Sequence, residues 1–347
     1  MTALDIKEED IPRLDDKVVI VTGTWGSSGI GLATARIFQA RGAHVHVLDL
    51  HPVDEDFDCF CSPWPAAAAA ADRARKHATD TAAAPRRGTI TYRHCDVADW
   101  TSLRQAFADI GHVDIAVANA GVSEHGDFFA DALDEAGLLA EPRYAVIDVN
   151  LRAVLNFIKL SVSVFRRQRQ QSKGGGAIVL TSSATAYAPE LSLPVYSAVK
   201  LSVVGLVRAL RPSIQQLCGA TINSVAPAAT VSKLLPPELA GPIVAAGGPV
   251  STAHHVGLAV AYSATARQVR QVERYGRESE TQAREAGRWN GRVILTLGNR
   301  WTELEESVAE LRPQWMGEWN AEMTAFQQAL TDSRPAAGSN GVVRAEA

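Results

Sequence analysis

Between Lys17 and Leu50 the chain passes through three kinds of sequence in an order that few folds accept. Lys17–Thr22 (KVVIVT) is a short β-branched run, the pattern of a strand buried on both faces. A glycine- and serine-rich turn follows, then an amphipathic stretch from Ile30 to Arg41 that stops at Gly42. His44–Leu50 (HVHVLDL) returns to the strand pattern. Strand, turn, helix and strand make one βαβ unit, and a helical crossover makes its two strands parallel.

The same alternation continues down the chain. Strands are expected at Ile90–His94, Asp114–Asn119, Ala177–Thr181, Thr221–Val225 and Arg292–Leu297. Helices are expected at Ser102–Ile110, Val146–Arg167, Val195–Leu210 and His254–Ala264. The pattern predicts an α/β fold: a doubly wound, Rossmann-type parallel sheet of seven strands with helices on both faces. One domain over 17–312 accommodates it.

Several stretches decorate that core. Residues 1–16 are polar and acidic, with no basic start and apolar run of the kind a signal peptide needs. Residues 51–88 carry the Ala66–Ala71 run and Pro85-Arg86-Arg87, and read as a low-complexity, mobile surface insertion. Arg166-Arg167-Gln168-Arg169 runs into Gly174–Gly176, a solvated helix end and loop. Gln268–Trp289 and a helix over Thr302–Leu311 are expected beyond the common core, as a pocket cover or an assembly element. Residues 313–347 form a C-terminal extension whose tail, from Ser333, is expected to be disordered.

Charge and cysteine usage narrow the class. A net charge of −4 gives no reason to expect nucleic acid as a partner. Leu239–Ala266 lacks Asp, Glu, Lys and Arg, yet Gly241, Pro242, Gly247, Gly248 and Pro249 break it, so no membrane span is expected. The four cysteines read as reduced thiols of a cytoplasmic protein. Cys59 and Cys61 stand apart from other ligands, and His254-His255 has no acidic or cysteine partner in view, so no metal is expected.

The turn after the first strand reads Thr22-Gly23-Thr24-Trp25-Gly26-Ser27-Ser28-Gly29-Ile30-Gly31. Glycines here let backbone approach a pyrophosphate, and the helix start near Gly29 offers free N–H groups and a positive dipole end. Asp49 ends the second strand, where a carboxylate can accept hydrogen bonds from adenosine ribose hydroxyls and repel a 2′-phosphate. That favours NAD, with NADP left open.

Tyr196-Ser-Ala-Val-Lys200 places a phenol and an ammonium one helical turn apart, with Ser183 upstream. A lysine ammonium beside a phenol favours the phenolate and should lower its pKa toward neutrality. Ser183 could hold a substrate oxygen while Tyr196 moves a proton. The pair alone is weak evidence, because such spacings arise often by chance.

Taken together, these residues resemble the short-chain dehydrogenase/reductase family, over about Lys17 to Gly298. The chain is similar in particular to dehydrogenases of fungal secondary metabolism. Thr22-Gly23 and Gly26–Gly31 resemble the family's cofactor loop, and Asp96-Val97 its adenine-contacting pair. Asn119-Ala120-Gly121 resembles its Asn-Ala-Gly motif, and Asn150 its catalytic asparagine position. Ser183, Tyr196 and Lys200 match in order and spacing, as do Asn223–Pro227 and Gly291–Gly298.

The resemblance implies an enzyme that moves hydride between a nicotinamide cofactor and a secondary alcohol or ketone. Tyr196 would be the acid/base and Lys200 would lower its pKa and bind the nicotinamide ribose. Ser183 would orient the substrate oxygen, and Asn150 would hold a water linking Lys200 to solvent. Gly23, Gly26, Ser28, Gly29, Ile30, Gly31, Asp49, Asp96, Val97, Asn119, Gly121 and Ser232 would surround the nucleotide. A homodimer or homotetramer is implied as well.

Two departures stand out. Five residues separate Gly23 from Gly29 where the family usually has three between its first two glycines, so Thr24-Trp25 looks inserted. A non-catalytic nucleotide-binding or scaffold protein is the alternative this raises. Ala228 replaces the glycine that commonly follows Pro227, which is costly only if the position needs a positive φ. Lys233–Val250 occupies the family's substrate lid; it is apolar and rich in Pro and Gly, so an apolar substrate is expected.

Overall fold

The computed structural model describes residues 3–24, 29–52, 87–171, 175–232 and 234–334. Trp25–Ser28 and nearly all of the 51–88 insertion lie outside the described residues. So does the tail from 335 onward.

Seven strands run parallel, as the alternating pattern requires. In spatial order they are β4 (Ile90–His94), β3 (His44–Asp49), β2 (Val18–Thr22), β5 (Ile115–Ala118), β6 (Ala177–Thr181), β7 (Thr221–Pro227) and β10 (Val293–Leu297). Their register is tight: Ile20 pairs with His46 on one side and Ala116 on the other. Strand side chains alternate faces, so the apolar runs feed two cores at once. Val19, Val21, Val45, Val47 and Val117 face the helices Ile30–Ala40 and Ala253–Thr265, where Phe38 and Val256 are wholly buried. Ile20, Leu48, Ala116, Ile178 and Leu180 face the other layer. That layer is built from the helices Trp100–Ile110, Ala153–Gln170 and Pro194–Cys218. Phe107 and Phe157 meet there edge to face, 5.2 Å between centroids.

The sheet is wider than expected, with nine strands among the described residues. Two antiparallel strands close the edge beside β10: β11 (Arg300–Glu303) pairs with β10, and β1 (Ala3–Leu4) pairs with β11. This corrects two expectations. The helix predicted over Thr302–Leu311 begins as strand, and only Glu305–Glu310 is helical. An open edge on β10 offers unpaired backbone groups, and pairing there outweighs the helical propensity of the glutamates. Trp301 fixes the strand by stacking on His255 at 3.9 Å and donating from Nε1 to the His255 carbonyl. The N-terminal segment is likewise not merely polar, because Ile6, Ile11 and Leu14 are buried in the core.

Other boundaries shift for local reasons. The predicted helix Val195–Leu210 runs on through Pro212 to Cys218, because Ile214 and Cys218 beyond the proline are buried. It ends at Gly219, whose φ of 64° is left-handed. The lid segment contains a helix at Pro237–Ala245 with Leu239 and Val244 exposed. A small ladder of β8 (Arg267–Gln268) and β9 (Gly287–Arg288) lies within the Gln268–Trp289 region. Helices Arg312–Met316 and Glu318–Thr331 make up the described part of the C-terminal extension. Its end is held: Arg334 pairs with Asp332 at 2.7 Å and with Glu278 at 2.9 Å.

β2 sits between β3 and β5, so the connections leaving β2 and β5 go to opposite sides of the sheet. Their carboxyl ends part at this point and leave a crevice, where ligands of such sheets bind.

Candidate active site

The crevice is bounded by Gly23, at the end of β2, and Asn119, at the end of β5. Gly23 has φ 72°, and a Cβ there would lie 2.3 Å from Ala120 Cα, so no other residue fits. A Cβ on Gly31 would lie 2.2 Å from the Gly23 carbonyl oxygen. Asn119 ties the two strand ends together. Its Nδ2 donates to Gly23 O at 2.6 Å, and its Oδ1 accepts from Thr181 Oγ1 at 3.2 Å.

The helix that follows starts at Ile30 with Gly29 as its N-cap, at φ 115° and with no side-chain cap. Around Gly29 the nearest atom a Cβ would meet is Ser232 Cβ, at 3.8 Å. A helix N-terminus without a side-chain cap carries free N–H groups that suit an anion. Ser232 stands beside it.

Asp49 is 7% exposed. Its Oδ1 accepts from the His51 amide at 3.1 Å, and its Oδ2 accepts from the Thr24 amide. Thr24 itself is buried, so the first of the two inserted residues points inward onto Asp49. A carboxylate has about four acceptor positions, and with Thr24 Oγ1 as a third donor about one is left for a ribose hydroxyl. Asp96 Oδ1 accepts from the Ala98 amide at 2.8 Å, and Val97 packs against the core beside it. Gly26 and Ser28 lie outside the described residues, as does Trp25. The residues present fit a dinucleotide: glycines at points of close backbone approach, a helix N-terminus without a side-chain cap and a buried carboxylate share one crevice.

The four candidate catalytic residues come together beyond this crevice. Asn150 lies in a π-helical turn, Asp148–Arg152, that interrupts the helix running from Ala145 to Gln170. Such turns widen the helix locally and concentrate at functional sites. Asn150 is wholly buried and grips one residue twice: Nδ2 donates to Val122 O at 2.8 Å, and Oδ1 accepts from Val122 N at 2.9 Å. Ser183 follows β6 and caps the short turn Ala184–Ala186, its Oγ accepting from the Thr185 amide at 3.2 Å. Neighbouring Ser182 donates to the Lys200 carbonyl at 2.8 Å, a structural bond.

Tyr196 and Lys200 lie one turn apart near the start of the helix Pro194–Cys218. Lys200 is 4% exposed; its Nζ donates to Thr181 O at 2.9 Å and stands 5.4 Å from the Tyr196 ring centroid. Burial lowers the Lys200 pKa to about 8. It is therefore still mostly an ammonium near neutral pH.

The tyrosine corrects an expectation. Burial raises its phenol above the ordinary value, while a hydrogen bond with Ser183 pulls it down and the Glu190 charge pushes it up. Desolvation outweighs the cation that the sequence places one turn away. In this state the phenol is protonated at neutral pH.

Three further residues are settled by the coordinates. Ala228 carries no positive φ, so the missing glycine costs little there. Tyr187 is partly buried, and its hydroxyl donates to Glu305 Oε1 at 2.8 Å. Glu124, which the sequence did not single out, accepts from the Tyr196 amide at 2.8 Å. Among the described residues no helix is long and apolar enough to cross a membrane.

Comparison with known proteins agrees with this geometry. The short chain dehydrogenase family profile matches residues 65–240, a span that contains Asn150, Ser183, Tyr196, Lys200 and Ser232. The chain is 50% identical to short-chain dehydrogenase/reductase prx4 of Penicillium roqueforti over 334 residues, 96% of this chain and 90% of that one. It is 42% identical to short-chain dehydrogenase/reductase ATR7 of Stachybotrys chlorohalonatus, over 96% of this chain and 95% of that one. In fold it resembles a 3-ketoacyl-(acyl-carrier-protein) reductase of Brucella melitensis solved with NADH. The TM-score is 0.54 at 20% identity, covering 82% of this chain and 98% of that one. The chain belongs to the short-chain dehydrogenase/reductase family and is an oxidoreductase.

Proposed function

We propose that this chain interconverts a secondary alcohol and a ketone on an apolar small molecule, with Tyr196 as acid/base and NAD as cofactor. The observation that carries this reading is the convergence of Asn150, Ser183, Tyr196 and Lys200, each no more than 9% exposed, beside the glycine-lined crevice. NAD, when bound, supplies or accepts the hydride. The remaining roles fall to side chains. Gly23, Gly26, Ser28, Gly29, Ile30 and Gly31 would hold the pyrophosphate, and Asp49 would accept from the adenosine ribose. Asp96 and Val97 would hold the adenine, and Asn119, Gly121 and Ser232 the nicotinamide end. The buried Asp49 carboxylate supports NAD over NADP, because a 2′-phosphate beside it would be repelled.

Ser183 holds the substrate oxygen and Tyr196 hands it a proton or takes one away. Lys200 lies one turn from the phenol, where its ammonium, held up to about pH 8, favours the phenolate. Asn150 fixes the loop that faces Lys200. A protonated phenol at neutral pH suits reduction of a ketone, whereas oxidation needs the phenolate. Oxidation should therefore speed up as pH rises above neutral, and reduction should slow. Leu234, Leu239 and Val244 on the lid support an apolar substrate. Relatives from Penicillium and Stachybotrys support a role in fungal secondary metabolism. We place the protein in the cytoplasm as a homodimer or homotetramer, with Leu155 and Leu201 exposed on the two helices that would pair.

The test is direct. Purified protein is assayed with NAD and with NADP on cyclohexanol, menthol and borneol. NAD should be preferred, and Tyr196→Phe should lose about 10²-fold or more in kcat while NADH fluorescence still reports binding. Unchanged turnover in Tyr196→Phe would remove the tyrosine from the chemistry. The scaffold alternative is not favoured, since all four side chains are present and converge; NADH binding without turnover in the wild type would revive it.

A further inference from the structure

The catalytic helix begins poorly. Pro194 at its first position has no N–H, and Leu193 at the N-cap offers no side-chain bond. The next amides need an acceptor, and that of Tyr196 belongs to a residue only 9% exposed. It is met by Glu124 Oε2 at 2.8 Å, from a loop 72 residues earlier in the chain. A carboxylate at this end of a helix is also favoured by the helix dipole.

The same loop touches the other side chains. Val122 holds both ends of the Asn150 amide at 2.8 and 2.9 Å. A Cβ on Gly121 would lie 3.2 Å from Asn150 Oδ1 and 3.7 Å from Lys200 Nζ. Three residues of one short stretch, Gly121, Val122 and Glu124, thus lie against Asn150, Lys200 and Tyr196.

We propose that Glu124 is a positioning residue: its carboxylate caps the catalytic helix at Tyr196 and fixes that residue against Asn150 and Lys200. The inference rests on the acid/base reading of Tyr196 given above. A small displacement of a reacting group costs rate far more than it costs binding. Glu124 itself touches neither substrate nor cofactor in this role.

Three variants test it in the full-length protein: Glu124→Ala, Glu124→Gln and Glu124→Asp. Each is assayed with NAD and the best alcohol of cyclohexanol, menthol and borneol, and Tyr196→Phe serves as control. Glu124→Ala should lower kcat by about ten- to a hundredfold while KM and NADH affinity stay within about threefold. Glu124→Gln keeps an acceptor oxygen and should restore kcat to within about threefold of wild type. Glu124→Asp is too short to reach and should resemble Ala. Hydrogen exchange gives a readout free of turnover: the Tyr196 amide should lose protection in the Ala variant and keep it in the Gln variant.

An unchanged kcat and unchanged Tyr196 protection in Glu124→Ala would overturn the proposal. So would a loss of kcat, KM and NADH affinity together that Gln does not restore, since that marks general damage. If Glu124→Ala does not fold, the contrast between Gln and Asp decides by the same measures. Retained turnover in Tyr196→Phe would instead strike the acid/base reading, leaving the exchange result to judge Glu124 alone.

Discussion

Burying Lys200 costs the fold stability. Its pKa falls to about 8 because burial penalises the ammonium, against 10.5 for an ordinary lysine. Between those values the unfolded chain binds a proton that the folded chain has released. The contribution of Lys200 to stability therefore rises with pH across that window, and below it the folded state bears the full penalty. That penalty is roughly 3 kcal/mol near neutral pH. Lys200→Met, which removes the charge and keeps the volume, should stabilise the protein by about 1–2 kcal/mol in urea denaturation near neutral pH, after the lost bond to Thr181 is counted. The gain should shrink toward pH 10.5, and turnover should vanish. No gain near neutral pH would show that Lys200 is better solvated than its burial implies. The Tyr196–Lys200 pair, Ser183 and Asn150 were legible because each is a letter with a fixed spacing. The raised Tyr196 pKa was not, because it depends on how much water three-dimensional packing removes. Glu124 was invisible for another reason: its partner is a backbone N–H, which every residue but proline carries.

At the scale of elements, the C-terminal pieces are joined to the sheet by buried charge rather than by apolar packing alone. Glu303, 2% exposed, accepts from the Glu305 and Glu306 amides at 2.9 and 3.1 Å and so caps the helix Glu305–Glu310. Arg292, on the neighbouring chain segment, lies 3.5 Å from Glu303 and 2.9 Å from Glu306. Glu305 turns inward, receiving two bonds from Arg208 at 2.7 and 2.8 Å and one from Tyr187. Removing Glu303 would take the acceptor from the Glu305 and Glu306 amides and leave Arg292 with Glu306 as its remaining carboxylate. Glu303→Ala should cost about 1–3 kcal/mol, read as a shift in the urea midpoint, whereas no measurable loss would mean the cap and ion pair are dispensable. These elements were the least legible in the sequence. Glu-rich residues after Trp301 carry helical propensity, and nothing local tells them that β10 has an unpaired edge. The parallel strands were legible because burial on both faces demands continuous apolar runs, as in Val18–Thr22.

For the molecule as a whole, the alternation of strand and helix fixed the class, and the two closing strands were the surprise. The N-terminal segment contributes more than its polar sequence suggests, since Ile6 and Ile11 are 3% and 1% exposed. Burying two such side chains is worth roughly 3–6 kcal/mol. Deleting residues 3–12 should therefore lower stability by an amount of that order and expose the β11 edge. Thermal melting and light scattering would show a lower Tm and more aggregation; an unchanged Tm would mean that segment packs only marginally. The pairing of Ala3 with Thr302 and Leu4 with Trp301 has a consequence for synthesis. β1 is synthesised long before β11, the strand it pairs with and the last among the described residues. Until the ribosome has released the region around Thr302, the nascent chain keeps a bare sheet edge and an idle N-terminal strand, so chaperone demand should peak late in translation.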